Sequence, residues 1–368
     1  MSQPVLGILT LYLDEKKRLE ERHIYQRMIA EGSKLGLDVF VFTPMDVHEQ
    51  KALIHALIFD PKTGVWSRKW RGFPDLIYDR CRIQRSKRFE QLKRFRQRYG
   101  HMSFLNRPLR DKWTIYQLLS KKQTFRSHSP DTVLFQSSSD VLKLFKKHST
   151  VYVKPINGTG GRGILRLERL GNELYLVQGR KQNRAIIPAQ KLHVSRLGPL
   201  LQNWKGGGRF IAQQGIQIKL PGGRVHDYRM LVQKNGEGKW EVTGGAGRIG
   251  PVRSVTSNLH GGGKAISMNK LLSQSHTEEK RNQIRRTAEK LSLEVAEYLE
   301  ASIGAICELA LDLAIDKSGS IYILEVNPKP AREVFIQTGD KEAYRRAIVK
   351  PLEYALWLYK KEAAPSSS

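Results

Sequence analysis

The stretch from Val151 to Gly163, VYVKPINGTGGRG, decides the fold prediction for this chain. Its β-branched and aromatic residues around Lys154 predict a strand, and Asn157-Gly158 predicts that the strand turns into a loop. Because glycine accepts the φ values of a tight curl, such a loop can hold backbone N–H groups against an anion. A lysine at the end of the strand would lie over the same anion. The stretch therefore favours a phosphate-binding site.

Three other interpretations apply to this loop. Gly158, Gly160 and Gly163 match the G-x-G-x-x-G pattern of dinucleotide-binding folds, but that fold needs a helix to begin inside the loop. Residues 163–170 and 173–178 instead alternate apolar and polar side chains around a Gly-Asn turn, which predicts a hairpin. No Gly-Lys-Ser/Thr closes the loop, which excludes a P-loop. An ordinary turn with a surface lysine remains the alternative for this stretch taken alone.

A second signal lies near the C-terminus, where the apolar run 321–328 predicts a strand. Glu325 and Asn327 share one face of it, because alternate residues of a strand point the same way. The preceding run 309–316 predicts the partner strand, with Asp312 as an isolated acid among apolar residues. Buried acids need a partner, and oxygen ligands suit a hard divalent cation. The hairpin therefore predicts a magnesium site.

The charge of the chain points to an anionic partner. Its 368 residues carry 63 Lys and Arg against 35 Asp and Glu, a net charge of +28. Half of that excess lies in residues 141–226, with 16 basic and two acidic side chains around the glycine loop. Such a field attracts nucleotides and acidic peptides. Aromatic residues are not interleaved with the basic ones as in a single-strand platform, so a nucleic-acid partner is not expected.

The compartment follows from what the sequence lacks. No apolar run approaches 18 residues, so no membrane span is expected. The first apolar stretch has no cationic start and predicts a strand instead of a signal peptide. Cys81 and Cys307 match no metal or redox spacing, which favours a reducing cytosol.

The first hundred residues alternate strands and helices, which is typical of an α/β lobe. No regular element is predicted for residues 181–208, which are basic and lack a clear period. The main elements predicted outside the two hairpins are strands at 5–11, 38–43, 74–79 and 210–216 and helices at 15–35, 84–99, 111–119, 277–302 and 340–361.

The order of these features resembles the ATP-grasp superfamily over roughly residues 106–359, from Lys112 on a helix to Asn327. More narrowly, the whole chain is similar to the YheC/YheD-like family of endospore coat-associated proteins, through Tyr78-Asp79-Arg80, residues 240–250 and the run EVNPKP. The resemblance implies an α/β N-terminal lobe followed by an ATP-grasp fold, in which two α+β lobes close on Mg-ATP. The domains expected are an N-terminal lobe at 1–105, a lobe with the lysine strand and flap at 106–209, a lobe with the metal hairpin at 210–362 and a frayed tail at 363–368.

The resemblance also implies roles for individual residues, carried over by position. The phosphates would be held by two lysines and the flap, the adenine by the strand between the lobes, the reacting groups by Lys154 and two arginines, and Mg²⁺, with Mn²⁺ as the alternative, by three oxygen ligands. The two lysines are Lys112 and Lys154, and the glycines of the flap are Gly158, Gly160 and Gly161. The residues at the adenine are Gln213, Gln214 and Ile216, and the two arginines are Arg229 and Arg248. The three oxygen ligands are Asp312, Glu325 and Asn327.

The sequence departs from the family pattern at two places, and this limits which residue roles can be carried over. Gln213-Gln214 stand where many relatives carry acids, so the ribose contact is not carried over. The loop 257–264, SNLHGGGK, looks like that of glutamate-adding ligases, but Thr256 and Gly261 flank it in place of arginines. Substrate identity is therefore not transferred from those ligases.

What the resemblance implies as activity is an ATP- and magnesium-dependent carboxylate–amine ligase that works through an acylphosphate on an acidic small molecule or peptide. Spore-coat proteins are the implied partners, and the implied place is the cytoplasm of the mother cell or forespore, with the spore coat as the alternative. A nucleotide-binding coat-assembly protein without ligase turnover is the second hypothesis. The oligomeric state is not predicted.

Overall fold

A computed structural model describes residues 3–82, 87–158 and 160–363. Within them the strands form three sheets, of seven, six and five strands. The strands are β1 Val5–Leu9, β2 Asp38–Phe42, β3 Val47–His48, β4 Leu53–Phe59, β5 Trp66–Arg71, β6 Leu76–Asp79, β7 Ser103–Phe104, β8 Thr132–Phe135, β9 Thr150–Pro155, β10 Ile164–Arg169, β11 Leu174–Arg180, β12 Ile186–His193, β13 Phe210–Gln214, β14 His226–Lys234, β15 Trp240–Ile249, β16 Lys264–Ser267, β17 Glu308–Ile315 and β18 Ile321–Asn327.

Ten α-helices accompany these strands in the described residues. No described helix is long and apolar enough to cross a membrane. The helices are α1 Arg22–Lys34, α2 Lys87–Arg98, α3 Lys112–Lys121, α4 Gln123–Arg126, α5 Ser138–Phe145, α6 Val194–Lys205, α7 Met268–Leu272, α8 Glu278–Ile303, α9 Glu333–Thr338 and α10 Lys341–Ala363.

The N-terminal lobe is the expected α/β unit. Its centre is parallel, with β1 between β2 and β6 and with β7 beside β6. The antiparallel strands β4 and β5 extend it and were not predicted. The helix predicted at 15–35 begins only at Arg22, and the start of the helix predicted at 84–99 lies outside the described residues.

The six-stranded sheet has the order β12-β11-β10-β9-β13-β8. The predicted hairpin is confirmed, with Leu167 opposite Val177 in β10 and β11. The segment 181–208, for which no element is predicted, forms β12 and α6. As an edge strand, β12 exposes most of its side chains and so leaves no hydrophobic period in the sequence.

The strand β13 lies in this six-stranded sheet, where it pairs with β9 and β8. The domain division expected at 209/210 would place it with the following lobe. Helix α3 precedes that division in the chain but packs with the five-stranded sheet, because its Ile115 and Leu119 share a hydrophobic core with that sheet. The two ATP-grasp lobes therefore exchange elements along the chain.

The five-stranded sheet has the order β16-β15-β14-β17-β18. All eight residues of β17 are buried, since helices cover both faces of the sheet. Helix α8 packs on one face, and α10 packs on the other in a core shared with α1 and β1. The N-terminal lobe thus packs against the face of this sheet that α10 covers. Helix α10 runs to Ala363, and the rest of the predicted tail lies outside the described residues.

A buried ionic cluster ties these layers together. The Glu308 carboxylate, at the start of β17, is fully buried between the guanidinium groups of Arg80 and Arg332. It also accepts hydrogen bonds from the Tyr78 hydroxyl at 2.6 Å and from the Gln233 amide at 3.0 Å. Tyr78 and Arg80 belong to the N-terminal lobe, so one carboxylate joins that lobe to the last sheet.

Replacing Glu308 by alanine leaves two buried guanidinium groups without their shared carboxylate. We expect the free energy of unfolding to fall by about 3–5 kcal/mol, as is usual when one partner of a buried ion pair is removed. Denaturant unfolding followed by circular dichroism measures this. The control is Glu31→Ala, which removes an i,i+3 partner of the exposed Lys34 and should cost under about 1 kcal/mol. Equal losses for the two variants would contradict the role of the cluster.

Candidate active site

The candidate site is a cleft between the six-stranded and five-stranded sheets, under the glycine loop. Most of the residues expected to bind ATP or metal line it. Two connected parts of the cleft meet at Lys112, Lys154, Gln213 and Glu325. The part beneath the flap is also lined by Gly158, Gly160, Gly161, Gln214, Ile216 and Asp312, and the other part by Gly158 and Asn327.

Lys154 crosses from one sheet to the other. It lies near the end of β9 and donates to the side-chain oxygen of Gln213 at 2.7 Å and to the Leu324 carbonyl at 3.3 Å. The Gln213 amide in turn donates to the Thr132 hydroxyl at 2.9 Å. Burial, reinforced by the charge of Lys112 and partly offset by Glu325, lowers the pKa of Lys154 to about 8. A desolvated cation of this kind is suited to bind an anion.

Lys112 lies in the same cleft as Lys154 but belongs to helix α3. It stands in the first turn of α3, which Asp111 caps by accepting from the Thr114 amide at 3.0 Å. Its ammonium group donates to the Gly158 carbonyl at the start of the flap and lies 3.1 Å from the Glu325 carboxylate. Two lysines from different elements therefore converge at the base of the flap.

The three predicted oxygen ligands are together. Asp312 and Glu325 lie opposite each other on β17 and β18, and the Asn327 amide nitrogen is 3.4 Å from the Asp312 carboxylate. In the part of the chain that the structure describes, no group of three or more His, Cys, Asp and Glu side chains is gathered as a metal site. The available donor set is two carboxylates and one amide oxygen.

Arg229 and Arg248 lie against the acids of this set. Arg229 makes two bonds to Asp312, at 2.9 and 3.0 Å, and Arg248 reaches the same carboxylate at 2.9 Å. Arg248 also forms a bidentate pair with Asp227, at 2.7 and 2.6 Å. Burial opposes the charge of Asp312, but Arg229 and Arg248 outweigh it and lower the pKa of that carboxyl to about 2. Both arginines thus lie beside the donor set, held by acids.

The flap closes over the cleft and touches the opposite lobe. Gly160 and Gly161 have φ of +64° and +72°, the left-handed region that favours glycine. A Cβ on Gly161 would lie 2.6 Å from the Asn258 side-chain oxygen, so only glycine allows this approach. The loop that resembles that of the glutamate-adding ligases therefore contacts the flap.

Gln214 and Ile216 line the cleft at the strand that joins the lobes. The backbone N–H of Gln214 donates to the Asp131 carbonyl at 2.7 Å, and its side-chain oxygen accepts from the Asp131 N–H at 3.1 Å. The Gln214 side chain is therefore held by Asp131, the residue before β8, and Ile216 contributes an apolar side chain to the lining of the cleft.

Sequence reasoning missed a clamp behind the donor set. Asp79, fully buried at the end of β6, binds Lys329, which follows β18, and also binds Arg96 at 2.6 Å. Arg80 donates to the Pro330 carbonyl at 3.1 Å, and the Asn106 amide donates to the Pro328 carbonyl at 3.4 Å. The N-terminal lobe therefore holds the segment that follows Asn327. The signal in the sequence was the pair Asp79-Arg80 at the end of the strand predicted at 74–79.

The depressed pKa of Lys154 has a consequence for stability. Its usual pKa is 10.5, so between pH 8 and 10.5 the unfolded chain binds more protons than the folded chain, and stability rises with pH there. Lys154→Met removes this contribution. We expect the wild-type protein to gain on the order of 1–3 kcal/mol relative to the variant from pH 7.5 to 10. Denaturant unfolding at both pH values measures the difference.

The matched control is Lys181→Met, at an exposed lysine just beyond β11. Its stability relative to the wild-type protein should change little over the same pH range. A wild-type protein that lost stability relative to Lys154→Met on going to pH 10 would show that Lys154 is not desolvated.

Comparison with known proteins shows the family of this chain. Residues 101–358 match the sequence family described as YheC/D like ATP-grasp. The chain is 24% identical over 365 residues to the endospore coat-associated protein YheC of Bacillus subtilis (strain 168), covering 97% of this chain and 98% of YheC. It has the same identity to the endospore coat-associated protein YheD of that bacterium, covering 97% of this chain and 79% of YheD.

Solved structures show the fold. D-cycloserine synthetase DcsG superposes with a TM-score of 0.56 at 13% identity, covering 97% of this chain and 99% of that one. D-alanyl-alanine synthetase A from Vibrio cholerae superposes with a TM-score of 0.52 at 11% identity, covering 98% and 97%. The expected fold class and family resemblance are confirmed. With 258 consecutive residues spanned by the family pattern, and with the sheets and cleft described above, the chain belongs to the YheC/D-like ATP-grasp family.

Proposed function

We propose that this protein is an ATP- and magnesium-dependent carboxylate–amine ligase that acts through an acylphosphate on an acidic small molecule or peptide. The observation that carries the proposal is the convergence of Lys112 and Lys154 with Asp312, Glu325 and Asn327 under a glycine flap. Cations for phosphates, oxygen ligands for a divalent ion and a cover against water are the parts that phosphoryl transfer to a carboxylate requires.

The nucleotide fits the cleft along the strand between the lobes. Its adenine would pack near Gln214 and Ile216, which line the cleft where the two sheets meet. Its phosphates would then run toward the base of the flap, where Lys112 and Lys154 lie. The backbone N–H groups of the flap at Gly160 and Gly161 would face them. This assignment extends the roles that the resemblance implies.

The donor set fits a hard divalent cation. Asp312 and Glu325 would supply carboxylate oxygens from paired strands, and Asn327, whose amide nitrogen lies 3.4 Å from the Asp312 carboxylate, would supply its amide oxygen to the ion. When bound, Mg²⁺ would neutralise charge on the phosphates of ATP. Asp312 and Glu325 also form ion pairs with Arg229 and Lys112. These pairs would hold the two cations where the phosphate oxygens of ATP would bind.

The chemistry is positioning and charge stabilisation. A carboxylate oxygen of the substrate attacks the γ-phosphorus, and the bond to ADP breaks. An amine nitrogen then attacks the acyl carbon, phosphate leaves and the nitrogen loses a proton. Arg229 and Arg248, fixed by Asp312 and Asp227, would stabilise the charge on the transferring group. No nucleophilic side chain is needed.

A second candidate is a nucleotide-binding assembly protein of the spore coat that closes on ATP without ligase turnover. It rests on the names of YheC and YheD as endospore coat-associated proteins. ADP release from purified protein, with a panel of amino acids, carboxylic acids and glutamate peptides, separates the two. Magnesium-dependent release with a product lighter by one water than its two parts supports the ligase. Tight Mg-ATP binding without stimulated release supports assembly.

Replacing Glu325 by alanine tests the site directly. We expect magnesium-dependent ADP release to fall at least about 100-fold, because a metal ligand and a partner of Lys112 are lost together. The fold should persist, since Glu325 is only partly buried. The control Glu279→Ala, on the exposed first turn of α8, should turn over normally. Unchanged turnover in Glu325→Ala would place the site elsewhere.

A further inference from the structure

Arg180, the last residue of β11, reaches from the six-stranded sheet to the β15–β16 loop, residues 250–263. It lies opposite Ile164 in the pairing of β10 and β11, and Ile164 lines the cleft. Directly opposed residues of two strands share one face of a sheet, so the Arg180 side chain leaves the sheet on its cleft side. Arg180 is only 4% exposed, which means that other parts of the protein cover its guanidinium group.

The guanidinium group of Arg180 binds the β15–β16 loop at two points. One terminal nitrogen donates to the Thr256 hydroxyl at 3.4 Å, and the other donates to the Gly261 carbonyl at 3.2 Å. The group is itself fixed by two bonds to the Arg184 carbonyl, at 3.1 and 3.2 Å. These four bonds end on neutral oxygens, and together they tie the loop of one lobe to the sheet of the other.

The close approach of Arg180 requires a residue without a side chain at position 261. A Cβ on Gly261 would overlap with a terminal nitrogen of Arg180. Gly261 is not among the glycines that have a positive φ. Space for the guanidinium group, and not an unusual backbone conformation, is therefore what requires glycine at this position.

The same loop carries the surface on which the flap rests. Thr256, Ser257 and Asn258 line the part of the cleft beneath the flap. A Cβ on Gly161 would lie 2.6 Å from the Asn258 side-chain oxygen and 2.9 Å from the Thr256 hydroxyl oxygen. The flap backbone therefore packs against Thr256, one of the two residues that Arg180 holds, and against Asn258 beside it.

Hydrogen bonds within the β15–β16 loop connect these contacts. The N–H groups of Gly261 and Gly263 donate to the Asn258 carbonyl at 3.0 and 3.3 Å. The Ser254 hydroxyl donates to the Thr256 carbonyl at 2.8 Å. Because the loop is bonded to itself in this way, a displacement of Gly261 or Thr256 would also displace Asn258, which faces the flap.

We propose that Arg180 is a positioning residue of the site, which holds the β15–β16 loop in the place where the flap closes on it. The inference rests on the proposed nucleotide site, because closure over bound ATP is what the loop would support. It adds to that proposal a residue that acts through Thr256 and Gly261. A planar guanidinium suits this role, since its several donors can bond Thr256, Gly261 and the Arg184 carbonyl together.

Hydrogen–deuterium exchange of the full chain tests this role, with the protein alone and with Mg²⁺ and a non-hydrolysable ATP analogue. Without nucleotide, Arg180→Gln should speed exchange of residues 256–263 at least about tenfold, as the loss of a charged hydrogen bond does. It should also remove most of the protection that the analogue gives to residues 160–163 in the wild-type protein. This second readout reports flap closure, and a merely structural role for Arg180 would leave it unchanged.

Gly261→Ala disturbs the same contact from the other lobe. Its methyl group would displace the guanidinium group, so this variant should reproduce both effects, and the double variant should be no worse than either single one. Arg180→Lys keeps the charge but lacks the planar fork, and it should behave like Arg180→Gln. Exchange in β17 should be unchanged in all of them. If Arg180→Gln also loosens β17, Gly261→Ala, which keeps the arginine, decides.

The matched control is Arg169→Gln, at an exposed arginine where β10 ends, which should exchange like the wild-type protein. The inference is overturned if Arg180→Gln and Arg169→Gln exchange alike in residues 256–263. It is also overturned if Arg180→Gln loosens the loop but leaves the nucleotide-dependent protection of the flap intact. An analogue that does not bind the wild-type protein in calorimetry would remove the proposed nucleotide site, and the inference with it.

Discussion

Charge compensation inside the cleft is the constraint on which the site depends. Three described carboxylates, Asp227, Asp312 and Glu325, line the space beneath the flap, and each is paired with a cation from another element. A buried acid without such a partner would raise its pKa and lose its charge. Arg229 and Arg248 therefore keep Asp312 ionised, and the three acids hold the lysine of α3 and the arginines of β14 and β15 in place. The charged groups of the cleft therefore fix one another's positions.

A second constraint joins the N-terminal lobe to this arrangement. Glu308 opens the strand that carries Asp312, and its carboxylate is held by Arg80 from the first lobe. Asp79 and Asn106 hold the segment that follows Asn327. Displacement of the first lobe would therefore shift both β17 and β18, which carry Asp312, Glu325 and Asn327. Its contribution to the site is to position these strands.

Much of the fold could be predicted from local patterns of apolar and polar residues. The period-two alternation on both sides of Gly171-Asn172 identified the hairpin β10–β11, and the apolar runs around Asp312 and Glu325 identified β17 and β18. The predictions failed where burial is one-sided or slight, as at β12, whose exposed side chains give no period. The predictions also named no partners for β13, since its pairing with β8 and β9 joins segments far apart in the chain. Strand pairing over such separations leaves no local trace.

The sequence by itself determined the family, the glycine flap and the identity of the oxygen and lysine candidates, because residue type and local spacing decide those. Only the tertiary structure decided what holds them. It brought Lys112 to Glu325 across more than two hundred residues and made Arg229 and Arg248 partners of acids. Contacts of this kind depend on how the sheets pack, and packing is a property of the whole chain, not of any single stretch.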